Sequence, residues 1–183
     1  MTQTAVLYPS NVKGAQNHYL LQLYQVLGGA LFIALCSQIK IQLLFTPVPI
    51  SLQTLAVMIT GGMLGRKNGA YSAITYLVFL SMGTSALSSP FPLIGCTGGY
   101  LLGFVPQAYL VGWFLEREKE YHSGRVLSVI LLTWLMLLVM GTAWLGFFVG
   151  WDKAMFLGFY PFLPGGALKC IAAAAFLKKY RRI

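Results

Sequence analysis

Residues 50–82 read ISLQTLAVMITGGMLGRKNGAYSAITYLVFLSM. Two apolar runs, about 50–65 and about 69–83, flank the cationic pair Arg66-Lys67. Each run has only about 15 residues, short of the ~20 that a full membrane span needs. The stretch is therefore open to two readings. It is either two spans joined at Arg66-Lys67 or one hairpin that enters and leaves the membrane on the same side. The side on which Arg66-Lys67 falls separates the two.

The rest of the chain supplies that side. It has 183 residues, 57% hydrophobic and 9% charged, with thirteen Lys and Arg against four Asp and Glu and a net charge of +9. A soluble domain carries roughly a quarter charged residues. Net positive charge can mark a nucleic-acid binder, but here the charges punctuate apolar runs and form no polar face, so no nucleic-acid partner is expected. Further apolar runs cover about 19–39, 99–115, 126–150 and 164–178. With six spans and both termini in the cytoplasm, the inner side receives Lys13, Arg66, Lys67, Arg117, Lys119, Arg125, Lys178, Lys179, Arg181 and Arg182. The outer side receives only Lys40 and Lys153, with Lys169 inside the last span. Cytoplasmic loops collect Lys and Arg, so six helices fit and the re-entrant hairpin does not. The expectation is an all-α integral membrane protein, multi-pass in the cell membrane, with residues 1–183 as one domain and 1–17 as a polar tail. The first run lacks a small-residue cleavage site and is expected to stay as an anchor.

Chemistry of the enzymatic kind is sparse. Glu116, Glu118 and Glu120 alternate with Arg117 and Lys119 in one inner loop, the pattern of a solvated segment. Asp152 is the remaining acid, and His18 and His122 stand apart at the inner interface. Cys36, Cys96 and Cys170 follow no disulfide or zinc spacing. The glycine-rich run Gly61 to Lys67 does not match a phosphate-binding loop. No cofactor, metal or catalytic set is implied, and an energy source for any transport must come from another protein.

Polar residues gather instead at the outward starts of the even-numbered helices. The second opens with Thr46-Pro47-Val48-Pro49-Ile50-Ser51-Leu52-Gln53-Thr54, the fourth with Gly95-Cys96-Thr97-Gly98-Gly99-Tyr100, and the sixth with Pro164-Gly165-Gly166-Ala167-Leu168-Lys169. Helix starts carry unpaired N–H groups and partial positive charge. Three of them on one side, joined by Lys169, suit a small anion such as a carboxylate. Each feature also has a plain reading. The glycines are common helix punctuation, Gln53 could bond between helices, and Lys169 could snorkel to the interface. Trp151, Phe156, Phe159, Tyr160 and Phe162, expected in the last outer loop, are either interface anchors or a lid over an apolar ligand.

These stretches resemble the BioY family, the biotin-specific substrate-binding (S) subunits of energy-coupling-factor (ECF) transporters. The resemblance rests on Pro47 to Ala56, on Thr97-Gly98-Gly99-Tyr100-Leu101-Leu102-Gly103-Phe104, and on Pro164-Gly165 with Ala167-Leu168-Lys169. It covers roughly residues 20–180. It implies six helices, biotin captured from outside beneath the outer loops, and uptake together with a transmembrane coupling subunit and an ATPase pair. By matching positions it implies ligand contacts at Gln53, Thr97, Gly98, Gly99, Tyr100 and Lys169, and Thr54, Tyr160, Gly165 and Gly166 are further candidate contacts beside them. A vitamin other than biotin, or an intramembrane enzyme, is the alternative.

Two positions depart from the family pattern. Gly166 stands where that pattern has an acid, and Cys96 where it has Pro or Arg. Gln53 and Thr97 are then expected to accept from the ureido ring, and Gly166→Asp is expected to be tolerated. Ala30 and Ala34, four apart on the first helix, resemble the docking face for the coupling subunit. Small-residue packing inside the bundle is the other reading of that pair.

Overall fold

A computed structural model describes residues 15–42, 46–82, 95–118 and 123–181. Most of the polar tail, Phe91, Lys119, Glu120, His122 and Arg182 fall outside the described residues. Helix α1 spans Ala15–Gln38. A short antiparallel ribbon follows, β1 (Lys40–Ile41) against β2 (Ile50–Ser51), with Lys40 opposite Ser51 and Ile41 opposite Ile50. Then come α2 (Gln53–Ser81), α3 (Gly98–Arg117), α4 (Ser123–Val149), α5 (Trp151–Ala154) and α6 (Phe162–Arg181). A π-helical turn, Met155–Phe159, joins α5 to the start of α6.

The stretch quoted at the outset folds as a hairpin within α2. Gly65 has φ 81° and ψ 176°, outside the helical region and in a conformation that glycine adopts without a Cβ penalty. In a straight helix Gln53 and Tyr76 would stand about 35 Å apart. Their side chains are hydrogen-bonded instead. Gly61 and Gly69 would be about 12 Å apart in the same straight helix, yet a Cβ placed on Gly69 would sit 2.7 Å from the Gly61 Cα. The two limbs therefore run antiparallel and touch at glycines. Glu116 of α3 holds the turn: its carboxylate accepts the Arg66 backbone N–H at 2.7 Å and faces Arg66 Nε at 3.4 Å. A side chain on Gly65 would displace that carboxylate.

Helix α3 lies against α2 and against α4. Leu101, Phe104, Ala108, Val111 and Leu115 are buried along it, spaced by three and four so that they share one face. Outside the core the surface is as apolar as the interior. Leu20, Leu23, Leu31 and Leu35 of α1 and Leu132, Val139 and Phe147 of α4 are all at least half exposed. A continuous apolar exterior of this kind belongs in lipid. By length and composition Tyr19–Gln38 and Gly124–Val149 can each cross a membrane, and Trp151–Phe159 with Phe162–Tyr180, bent by 42°, form a further candidate. The chain is thus a helical membrane protein.

Three sequence expectations need correction. The fold is helical but not purely so, because the segment after α1 forms the β1–β2 ribbon, closed by the Leu52 N–H donating to the Ile39 carbonyl at 3.1 Å. The aromatic segment after α4 is not an open loop. Gly150, at φ 85°, turns the chain directly into α5 and the π-helical turn. Helix α6 starts at Phe162 rather than at 164, so Pro164 lies inside its first turn, where a missing N–H costs nothing.

Candidate binding site

The starts of α2, α3 and α6 lie at one end of the bundle, around a cavity of about 390 Å³. That volume is in the range of small-molecule sites. The Gly65 turn, with Glu116, Arg117 and Arg125, lies at the opposite end. There Arg125 meets Glu118 at 3.4 Å and Arg117 stacks on Trp113 at 3.8 Å.

A belt of hydrogen bonds crosses the cavity mouth. Lys169 Nζ on α6 donates to the Ser51 carbonyl of β2 at 2.7 Å. Ser51 Oγ donates to Gln53 Oε1 at 2.8 Å, and Gln53 Nε2 donates to the Tyr76 hydroxyl on the returning limb of α2. The belt joins α6, the ribbon and both limbs of the hairpin. The ammonium of Lys169 has three N–H donors and spends one on Ser51, so it retains donors for a guest. The α2 and α3 caps, Leu52 and Thr97, make no side-chain capping bond to the first turns. The start of α2 thus still offers N–H groups, whereas at α3 the Gly98 N–H donates to the Gly95 carbonyl and the Tyr100 and Leu101 N–H groups donate to the Thr97 carbonyl.

The roof is pinned from the other side. Thr46 Oγ1 donates to the Leu157 carbonyl at 2.7 Å and accepts the Val48 N–H at 3.2 Å. This holds the Pro47-Val48-Pro49 segment over the cavity, against the π-helical turn. The Tyr100 hydroxyl donates to the next carbonyl, Gly158 O, at 2.7 Å and also meets Thr142 Oγ1 at 3.3 Å. Its ring stacks on Phe162 with centroids 5.8 Å apart.

Below the belt the walls are apolar: Leu80, Leu101, Phe104, Leu137, Leu138 and the ring of Trp134. Both charged residues among the described lining, Lys40 and Lys169, are cationic, and no Asp or Glu lines it. An elongated molecule with an apolar body and an anionic or acceptor-rich end matches this distribution.

The site residues named from sequence divide in two. Gln53, Thr54, Thr97, Tyr100, Gly166 and Lys169 lie in the cavity wall. Gly98, Gly99, Gly165 and Tyr160 do not. Gly99 is buried where α3 crosses α4, and a Cβ there would overlap Trp144, so its smallness serves helix packing. Gly98 is buried beside it, and a Cβ on Gly165 would meet no atom within 4 Å. Tyr160 is 52% exposed and packs edge-on against Phe159; Phe162, two residues on, lines the cavity in its place. The tolerance expected for Gly166→Asp also needs correction. A Cβ on Gly166 would run into the Trp134 indole, so no side chain fits there while Trp134 keeps its place. On α1, Ala30 is 1% exposed, inside the core, and Ala34 is partly buried against it. That leaves Ala30 no surface for a partner.

Tyr76 and Trp134 are wall residues that sequence reasoning missed. Tyr76 carried a usable signal, since it lies eleven residues after Gly65 and Gln53 lies twelve before it. Folding the stretch about Gly65 brings the two level. Trp134 carried none, because α4 is apolar on nearly every side.

Comparison with known proteins agrees with this architecture. The chain is 34% identical over 167 residues to the biotin transporter BioY2 of Lactococcus lactis subsp. cremoris, covering 88% of this chain and 90% of that one. It is 31% identical over 149 residues to a probable biotin transporter BioY of Pyrococcus horikoshii, covering 79% and 88%. Its fold superimposes on the S-component for biotin from an ECF-type ABC transporter with a TM-score of 0.81, at 24% identity, over 93% of this chain and 96% of that one. The BioY family matches residues 9–183, nearly the whole chain, and the protein belongs to that family.

Proposed function

We propose that this protein is the biotin-binding S subunit of an ECF-type transporter. It captures biotin in the cavity at the outward end of the bundle and passes it inward with a coupling subunit and an ATPase pair. One observation carries the reading: the cavity has a cationic belt at its mouth, apolar walls below, and no carboxylate among its described lining residues. Biotin has the matching form, with a carboxylate on an aliphatic chain and a neutral fused ring.

In this reading the bundle spans the cell membrane six times, counting each limb of α2, with both termini cytoplasmic. The charge asymmetry supports this orientation, since Arg66, Lys67, Arg117 and Arg125 all fall at the end away from the cavity. The valeryl chain and thioether ring lie on Leu80, Phe104 and Leu138, and the Lys169 ammonium pairs with the carboxylate. Gln53 and Thr97 accept from the ureido ring. For Gln53 this means sharing Oε1 with Ser51 Oγ, as a carbonyl oxygen with two lone pairs can. Entry requires the ribbon and the Pro47–Pro49 roof to lift, which breaks the Thr46–Leu157 and Lys169–Ser51 bonds. The coupling subunit engages α1 beside Ala34, at its lipid-exposed side.

The test is uptake of labelled biotin by cells that lack a biotin carrier. The reading expects uptake when the chain is expressed with a coupling subunit and both ATPases, and loss of uptake when the ATPases carry inactive nucleotide sites. Vigorous uptake of a different vitamin with none of biotin would refute it.

A further inference from the structure

We infer that Trp134 is a ligand-binding residue of this cavity, supplying both its flat wall and a hydrogen-bond donor, and that Gly166 is glycine to make room for it. The inference rests on the proposed reading of the site. Trp134 projects from α4 and is 7% exposed, while its ring lines the cavity beside Gly166. The two are in such close register that a Cβ on Gly166 would overlap the indole, with Nε1 only 2.7 Å from that Cβ position. The ring therefore lies directly on the bare backbone of α6, just past the first turn of the helix that carries Lys169 three residues further on.

A buried indole N–H ordinarily finds an acceptor. Trp144 shows the usual case here, donating from Nε1 to the Gly95 carbonyl at 3.1 Å. Trp134 Nε1 has no such partner among the described residues. It is also absent from the sealed, unpaired side-chain atoms among the described residues, which are Thr60 Oγ1 and both amide atoms of Gln107. A donor that lacks a protein partner yet is not sealed in, on a ring that forms the cavity wall, is placed for a guest. Residues three apart on a helix share a face, so Trp134 on Gly166 and Lys169 present their donors to the same region. An oxygen of the ligand held by Lys169 would then also meet the indole N–H. The wall face also selects shape, because a flat ring can lie along the indole whereas a bulkier substituent would strike it.

The experiment measures biotin affinity of the purified chain and of Trp134→Phe, which keeps an aromatic ring and loses the N–H. Loss of one neutral hydrogen bond predicts weakening of roughly threefold to tenfold, with the melting temperature of the ligand-free protein unchanged. In a Lys169→Met background the same substitution should have a smaller effect, since the shared oxygen is no longer held. A second pair reads packing without ligand. Gly166→Ala should lower the melting temperature, and adding Trp134→Leu should restore it. Equal biotin affinity in folded Trp134→Phe would overturn the donor role alone. A Gly166→Ala protein as stable as the parent would overturn the steric pairing. Absence of biotin binding by the unmodified chain would remove both this inference and the function it rests on.

Discussion

Replacing Lys169 by Met is the sharpest perturbation of the site, because it keeps an apolar stem of similar length and removes the charge. Two effects follow. The ligand carboxylate loses a charge-assisted hydrogen bond, a contact of about 1.5–3 kcal/mol. At 1.4 kcal/mol per decade this weakens biotin binding by roughly 10- to 150-fold. Independently, the Ser51 carbonyl loses its 2.7 Å partner, so the ribbon is held less firmly over the cavity. The second effect acts on any ligand, whereas the first needs a carboxylate. Titration calorimetry with biotin and with biotin amide separates them. Biotin should lose the full factor, and the amide a much smaller one that reports the ribbon alone. Equal loss for the two ligands would show that Lys169 serves the fold and not the carboxylate. Unchanged biotin affinity would refute both parts of the reasoning.

Other outcomes test the frame around the site. Glu116→Ala removes the acceptor of the Arg66 N–H, costing about 1–2 kcal/mol; the Arg66–Glu116 ion pair is part-exposed and adds little. Thermal unfolding in detergent should shift down by about 2–8 °C, and no shift would show that Gly65 sets the hairpin unaided. With Cys36, Cys96 and Cys170 replaced, Lys67→Cys should resist an impermeant thiol reagent applied outside intact cells, and labelling there would overturn the six-span topology. Ala30→Trp should destabilise the bundle, because Ala30 is 1% exposed. Gly28→Trp, at a position where an added Cβ meets nothing within 4 Å, should leave stability unchanged. The reverse pattern would mean that Ala30 faces outward when the transporter assembles.

Much of this was legible in the chain because membranes impose simple rules. Arg66-Lys67 could not be buried in lipid, so the apolar stretch around them had to turn, and Gly65 is where it does. The helix starts around the cavity were legible because Pro, Gly and short polar residues cluster there, and Gln53, Thr97 and Lys169 do meet around one cavity. What sequence could not supply was the direction in which each lipid-embedded helix faces. A helix with Leu outside and Leu inside has no amphipathic signal, so nothing set Trp134 of α4 apart from the exposed Leu132 and Leu135 beside it. The same ambiguity hid the burial of Ala30 and the packing role of Gly99. The π-helical turn was illegible for another reason: its aromatic residues suit an interface loop equally well. Its carbonyls at Leu157 and Gly158 acquire meaning only from Thr46 and Tyr100, each more than fifty residues away in the chain.

The central claim is that this single chain, without partners, holds biotin in the cavity beneath the Lys169–Ser51–Gln53–Tyr76 belt. Equilibrium binding of biotin to the purified, detergent-solubilised protein tests it most directly. The account predicts saturable binding at one site per chain with sub-micromolar affinity, and markedly weaker binding of biotin amide. A folded protein that shows no saturable biotin binding would contradict it.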